Sequence, residues 1–512
     1  MTRELRPDPE RCADLRADLQ QAGYTADAVR TVWGPLADEA VGHGLHGPAL
    51  AALASAAASP LVTLARLLFL GVPTPRASVD AALARTGAAG LAALGLATVD
   101  GDEVRPDALL RPQDYVDADG AGLWWIASDL DEAAVGGPLP TGHVLGVGGA
   151  SLTLAGLQLP TRVGSVLDLG TGCGVQALRA RRFADRVVAT DVSERALAFT
   201  RLNALLNDVD GIETRLGSLF APVAGELFDR VVSNPPFVIT PRVDGVPAYE
   251  YRDAGFAGDD LVAAFVSGVG AVLQPGGTAQ LLGNWEYRAD ADGLERVRGW
   301  IDASPVPLDA WIVERERLDP LAYAELWVRD GGTAPGTPGY ARLIEAWLAD
   351  FAARGVQGVG FGYLVLRRAA SGTPTLRRFE RVTGPVGSGI EGGLGAHLAD
   401  ALAAADALAG LDDGALADAV LTVSGDVTEA RHHLPGAEAP SVIELRQGGG
   451  LARTIEVDPA LAALVGASDG DLAVGALSDA IAQLLEVDAT ALRVDLLPRV
   501  RELVLTGFLR IV

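Results

Sequence analysis

The chain has no lysine: its 41 basic residues are all arginine. A P-loop, which needs Gly-Lys-Ser/Thr to cradle phosphate, is therefore excluded. Cysteine is nearly absent as well, with only Cys12 and Cys173 in 512 residues. No disulfide framework can form, and a reducing interior is expected. No apolar run is long enough to span a bilayer. The best stretch, Ala49 to Val72, is broken by Ser59-Pro60 and by Arg66, and reads as two buried helices. Met1 to Asp8 lead into no apolar stretch of signal-peptide type, so the expectation is a soluble, cytoplasmic protein with no membrane partner. Also missing are a Ser-His-Asp order, a CxxC pair and H-E-x-x-H. The pair His432-His433 has no acid or cysteine at ligand spacing, so no metal site is expected. Positive charge is in deficit, with a formal net charge of −25, which is not what a general nucleic-acid binder shows.

What is present lies mainly in one stretch, Val166 to Phe237. An apolar segment, Gly164 to Leu169, runs into glycines at 170, 172 and 174, and helical spacing begins at Val175. The pattern predicts a strand, a tight turn, and a helix whose first-turn amides face whatever sits over the turn. Glycine suits positive φ and close approach of a ligand to the backbone. A dinucleotide fingerprint would need a third glycine three residues after Gly172, and that position is Val175. A second strand, Arg186 to Thr190, ends in Asp191, where an acid can accept hydrogen bonds from both hydroxyls of a ribose. Asp168 can meet a cationic amino group beside the turn. A ligand with a ribose and an ammonium but no phosphate is S-adenosylmethionine (SAM), and in Asp168-x-Gly170-Thr171-Gly172-x-Gly174 the sequence resembles the class I SAM-dependent methyltransferases.

Downstream residues extend the resemblance. A helix over Val192–Asn207 is followed by Gly217-Ser218-Leu219-Phe220, a strand over Phe228–Ser233, and Asn234-Pro235-Pro236-Phe237. The tetrapeptide resembles the [D/N]-P-P-[Y/F] motif of amino-directed methyltransferases, which act on exocyclic base amines or glutamine amides. A planar amino nitrogen is a poor nucleophile because its lone pair is delocalised. The Asn234 carboxamide oxygen and the Pro235 carbonyl can accept its two N–H bonds while Phe237 stacks on the planar group. The resemblance thus implies catalytic roles for Asn234, Pro235, Pro236 and Phe237. It implies SAM contacts from Asp168, Gly170, Thr171, Gly172, Gly174, Asp191, Ser218, Leu219 and Asn234. His143, Ser151 and Thr153, on the approach to the first strand, are candidate lining residues.

Length sets a prior of about three domains. The reading is an α/β chain: a helical, winged-helix-like domain over 1–117, a Rossmann-like class I methyltransferase sheet over 118–388, and an α+β winged-helix-like domain over 389–512. Gly358–Arg368 and Pro374–Val382 are expected to pair as the antiparallel hairpin that closes the sheet. Asp259 and Asp260 are expected to cap and charge the start of a helix over Leu261–Leu273. The hairpin carries Arg367, Arg368, Arg377, Arg378 and Arg381 against Glu380, a local charge of +4 that could contact phosphate. On that basis the expected acceptor is an amino group of ribosomal or transfer RNA. A protein glutamine N5 atom, a small-molecule or peptide natural product, or a non-enzymatic SAM-sensing, DNA-binding regulator are the alternatives.

Overall fold

The computed structural model describes residues 4–117, 119–136, 139–243, 246, 255–289, 291–387 and 393–512. The chain forms two compact units: 1–155 with 162–373 and 378–381, and 156–161 with 374–377 and 382–512.

The first unit is built on a mixed sheet of eight strands, here β1 Val163–Leu169, β2 Ala184–Asp191, β3 Ile212–Leu216, β4 Phe228–Ser233, β5 Leu273–Arg288, β6 Leu308–Leu318, β7 Val356–Arg368 and β8 Arg377–Arg381. Their order is β3-β2-β1-β4-β5-β7-β6-β8. β1 to β5 run parallel, and β7 pairs antiparallel with both β5 and β6. Near-continuous apolar runs such as Val166-Leu167 and Val231-Val232 are wholly buried, as parallel strands covered on both faces require. The helices are α1 Val175–Arg181, α2 Glu194–Leu206, α3 Asp260–Gly268, α4 Gly293–Asp302, α5 Pro320–Asp330 and α6 Pro338–Ala353.

The expected closing hairpin is not a pair. Both edges of β7 are taken, one by β5 and one by β6, so the segment at 377–381 lies on the far edge of β6. Asp259 also departs from the expected cap. It precedes α3 without a side-chain cap bond. Its carboxylate is buried, accepts from the Glu286 amide at 2.9 Å and pairs with Arg296 at 2.6 Å.

Ahead of the sheet lie helices Pro9–Gln21, Ala26–Trp33, Pro35–Gly42, Gly47–Ser55 and Pro60–Leu64, the last continued by a π turn, Ala65–Phe69. Strand Thr74–Pro75, helices Arg76–Ala82 and Gly87–Leu94, and hairpin Ala97–Asp100/Glu103–Pro106 follow, then a longer hairpin, Leu109–Asp117 with Gly120–Ser128. One apolar core runs from Leu15, Leu64 and Leu91 through Trp124 and Ile126 to Phe199 and Leu202 of α2. An asparagine of α2 and the one that caps its end pair with the free edge of the long hairpin. Asn203 bonds both backbone groups of Ala127, and Asn207 both of Trp125, at 2.8–2.9 Å. The N-terminal helices therefore share a core with the sheet, and the expected boundary at 117/118 falls at the turn of the long hairpin.

The second unit holds helices Gly393–Ala409 and Asp413–Asp418 and a meander of Val427–His432, Val442–Gln447 and Thr454–Val457. A three-stranded sheet of Asp469–Ala473, Val420–Val423 and Leu509–Ile511 accompanies helices Pro459–Gly466, Val474–Leu485 and Ala489–Leu505. Its own core includes Leu421, Leu464, Val500 and Phe508. His432 lies on an exposed strand and faces Glu444 at 3.1 Å.

Candidate functional site

β1, β2 and β4 end level, with Leu169 opposite both Thr190 and Ser233. Strand order reverses between β1 and β4, the place where an open α/β sheet leaves a crevice beyond its carboxyl ends. Three segments emerge there: 170–174 from β1, 191–193 from β2 and 234–237 from β4.

In the first segment, Gly170, Gly172 and Gly174 all have positive φ, at 74°, 56° and 86°. The amides of Gly170 and Thr171 both donate to the Thr190 carbonyl, at 2.8 and 3.0 Å, and that of Gly174 to Thr171 O at 2.9 Å. The Gly172 amide donates to Asp191 Oδ2 at 3.0 Å. Four amides of the turn itself are thus used, because the turn folds back across the end of β2; the first-turn amides of α1, which begins at Val175 with no side-chain cap bond, are not among them. The turn's flank is open: a Cβ on Gly170 or Gly172 would meet nothing within 4 Å, whereas one on Gly174 would press on Thr200 at 3.0 Å. Gly174 thus lets α2 approach, and the Thr200 hydroxyl donates to Gly172 O at 3.1 Å. Cys173, inside the turn, is a buried thiol pushed by desolvation up to about 11.

Asp168 sits beneath the turn with no solvent exposure. Its Oδ2 accepts from the Thr171 hydroxyl at 2.7 Å, while Oδ1 has no hydrogen-bond partner. Burial is the main cause that raises its carboxyl from 3.8 to about 7. The charge of Asp191 adds to the rise, and the Thr171 hydroxyl and the Ala177 amide oppose it. That amide favours charge without reaching bonding geometry to Oδ1. A buried carboxylate oxygen left unpaired is the arrangement a cationic ligand would relieve.

Asp191 organises the second segment. Its two carboxylate oxygens accept from Gly172 N and, at 2.9 Å, from Ser193 N, and its carbonyl accepts from Gly217 N at 2.9 Å. Through Gly217 it carries the turn containing Ser218, which is exposed, and Leu219, whose φ of 47° is unusual for a branched side chain.

In the third segment the Ser233 hydroxyl donates to Leu169 O at 2.8 Å, tying β4 to β1 just before Asn234. Asn234 Nδ2 lies 3.5 Å from Ser151 Oγ, and its Oδ1 is buried with no partner. Pro235 is buried, Pro236 is half-buried, and the half-buried Phe237 ring packs against Phe361 of β7 with centroids 5.5 Å apart at 50°.

Of the lining candidates, only Ser151 reaches this place, on helix Gly149–Leu157, held by Gln176 through its carbonyl at 2.7 Å. The Thr153 hydroxyl turns back to Gly149 O at 2.9 Å. His143 is buried 3.9 Å from Asp129, its ring held below the usual imidazole range by desolvation. Sequence reasoning missed Thr200, Ser233 and Gln176, whose contacts cross between elements and leave no spacing signal.

Three of the arginines of 367–381 are engaged by acids. Arg367 pairs with Asp309 at 2.8 Å, Arg378 with Glu380 at 2.9 Å, and Arg381 with Asp292 at 2.6 Å and Glu314 at 3.1 Å. Arg368 donates to Leu273 O at 2.8 Å. Three of the five arginines thus face four acids. The expected +4 patch counted only the acid on its own segments and missed those that β6 and the start of α4 bring up.

The methyltransferase small domain family matches residues 148–248, and a domain of unknown function (DUF7059) matches residues 21–107. The chain is 32% identical over 235 residues to the release factor glutamine methyltransferase of Deinococcus radiodurans, covering 42% of this chain and 81% of that protein. It is 31% identical over 232 residues to the release factor glutamine methyltransferase of Moorella thermoacetica, covering 40% and 81%. Among solved structures, the ribosomal protein L11 methylase of Lactobacillus delbrueckii subsp. bulgaricus aligns at 17% identity with a TM-score of 0.26, covering 44% of this chain and 81% of that one.

Proposed function

The chain belongs to the class I SAM-dependent methyltransferases, the family that includes the release factor glutamine methyltransferases, and on that premise we propose that its acceptor is the side-chain amide of a protein glutamine. The observation that carries this reading is Asn234 Oδ1, a buried carboxamide oxygen without a partner at the end of β4, beside the glycine turn. The names of the relatives favour a protein acceptor, and the pairing of Arg367, Arg378 and Arg381 with acids reduces the local charge that favoured RNA.

The residues present fit the cofactor. SAM, when bound, supplies a methyl group on a positively charged sulfur. Asp168 Oδ1 is the natural partner of its ammonium, and Asp191, half-buried at the tip of β2, of its ribose hydroxyls. The open flanks of Gly170 and Gly172, with Thr171, Ser218 and Leu219, would border it. Asn234 Oδ1 and the Pro235 carbonyl are proposed to accept the two N–H bonds of the incoming amide. That turns the nitrogen lone pair out of conjugation and toward the reacting side. Pro236 stiffens the segment, and Phe237, backed by Phe361, offers a flat apolar wall to the planar group. The N-terminal helices and their two hairpins are proposed as a winged-helix-like element that docks the acceptor protein.

The test uses the full-length protein with tritiated SAM and three acceptors: a translation release factor, total RNA, and small molecules from a cell extract. Label on the release factor, lost when its acceptor glutamine is changed to glutamate, is the expected outcome. Label found only in RNA would overturn the reading.

A further inference from the structure

Between β6 and β7 the chain inserts the helices α5 and α6, and with Ile239 they build an apolar core of their own that includes Ala324, Ile344 and Phe351. Two side chains of this insertion take both backbone groups of one buried residue, Ile239, five positions after Asn234. The Ile239 amide donates to the Tyr323 hydroxyl at 3.0 Å, and Trp347 Nε1 donates to the Ile239 carbonyl at 2.9 Å. Side chains seldom replace secondary structure so completely. The segment after Pro236 belongs to no strand or helix, so its backbone groups must be met in this way or not at all.

A third residue completes the cluster. Asn284, on β5 and 2% exposed, bonds the Tyr323 hydroxyl at 2.7 Å through one carboxamide atom. The other carboxamide atom has no partner. Asn284 also stands directly across from Phe361, whose ring backs Phe237. The far end of the insertion is fixed to the same strand, because Arg354, just after α6, pairs with the fully buried Glu286. A polar cluster this buried is a costly way to fill a core. It makes sense where a loop must be held in one place.

Resting on the glutamine-amide reading, we infer that the α5–α6 insertion is the strut of the acceptor site, with Tyr323, Trp347 and Asn284 as positioning residues. By clamping Ile239 they fix the path of 234–239, and so the placement of Asn234 Oδ1 and Phe237 relative to the glycine turn. The cofactor side is held separately, by Asp191, Thr200 and Thr190, and does not depend on the clamp.

The experiment compares the full-length protein with Tyr323→Phe, Trp347→Phe and the double variant, all checked for native melting. Each single variant should lower kcat for the acceptor about tenfold and leave the SAM dissociation constant within about twofold. The double variant should fall short of the product of the singles, because both bonds act on one residue. Hydrogen exchange of the peptide spanning 234–243 should speed up about tenfold or more in each, with no change around 166–175. The exchange reading needs no acceptor, so the two ideas fail separately. Faster exchange in a protein that does not label release factor would sink the glutamine reading and keep the strut. Normal kcat or unchanged exchange in both single variants would overturn the strut, as would an equal loss of SAM affinity, the mark of a merely structural role.

Discussion

Substituting Asp168 by Asn should stabilise the ligand-free protein and weaken SAM binding, and each effect should depend on pH in a defined direction. Burial raises the Asp168 carboxyl from 3.8 to about 7 in the folded chain. At about 1.36 kcal/mol per pH unit, the charged form costs the fold on the order of 4 kcal/mol. The folded value lies above the unfolded one. Stability from this group is therefore fully present below pH 3.8, falls as pH rises toward 7, and is flat beyond. Asn carries no such titration. The variant should melt like the wild type near pH 4 and higher at pH 8. The gain should be only about 1–3 kcal/mol, since a buried carboxamide also leaves an atom unpaired. Binding should run the other way. A ligand ammonium at Oδ1 favours the carboxylate, so wild-type SAM affinity should rise up to about tenfold per pH unit between 5.5 and 7, with release of up to one proton. The rise should end near pH 8, where an α-amino group begins to lose its own proton. Asp168→Asn should abolish the slope and cost about 1.5–3 kcal/mol of affinity at pH 7.5, the range for a hydrogen bond to a charged group. Thermal melts at pH 4 and 8, with calorimetry of SAM in two buffers of different ionisation enthalpy, measure all of this. A flat affinity from pH 5.5 to 7, or a variant that melts below the wild type at pH 8, would refute the argument.

Three further outcomes are expected. Asn234→Ala should leave SAM affinity nearly unchanged in calorimetry and reduce acceptor turnover on the order of 10²-fold, because the proposed role of its oxygen is to accept from the reacting amide. Gly172→Val should be worse for the cofactor than Asp191→Ala. A branched residue at φ 56° is strained by about 1–2 kcal/mol and fills the open flank of the turn, whereas the Ala variant loses only side-chain bonds. SAM titrations of the two variants decide the order. Arg367→Ala removes the cation facing buried Asp309 and should cost about 3–5 kcal/mol in denaturant unfolding, while the salt dependence of any RNA binding stays unchanged. A flattened salt slope would restore a phosphate-contacting role to that strand.

What the sequence discloses about this molecule is local chemistry, and the structure shows why the disclosure stops there. The turn from Asp168 to Gly174 and the acid at 191 were readable because each rests on backbone geometry set within a few residues: positive φ, a strand end, a helix start. Even so, the bonding of the turn's own amides leaves no local pattern. Whether they face a ligand or bind Thr190 depends on how the turn leans across a neighbouring strand. The arginines of 367–381 failed for the same reason in a larger form. A charge count along one segment cannot include Asp309, Glu314 or Asp292, which reach it only once β6 and the start of α4 are packed. The parallel half of the sheet followed from apolar runs, but the closing strands did not. β7 lies between β5 and β6 and not beside the segment at 377–381, and no turn signal marks that exchange of partners. Asn284, Tyr323 and Trp347 were the least visible of all. Each is an ordinary strand or helix residue by pattern, and only the convergence of three distant elements on Ile239 gives them a common task. The division has a physical cause. A cofactor turn is made by one βαβ unit, so its residues are close in sequence. The proposed acceptor side is assembled from β4, β5 and an insertion about 80 to 110 residues further on. Its selectivity is therefore a tertiary property.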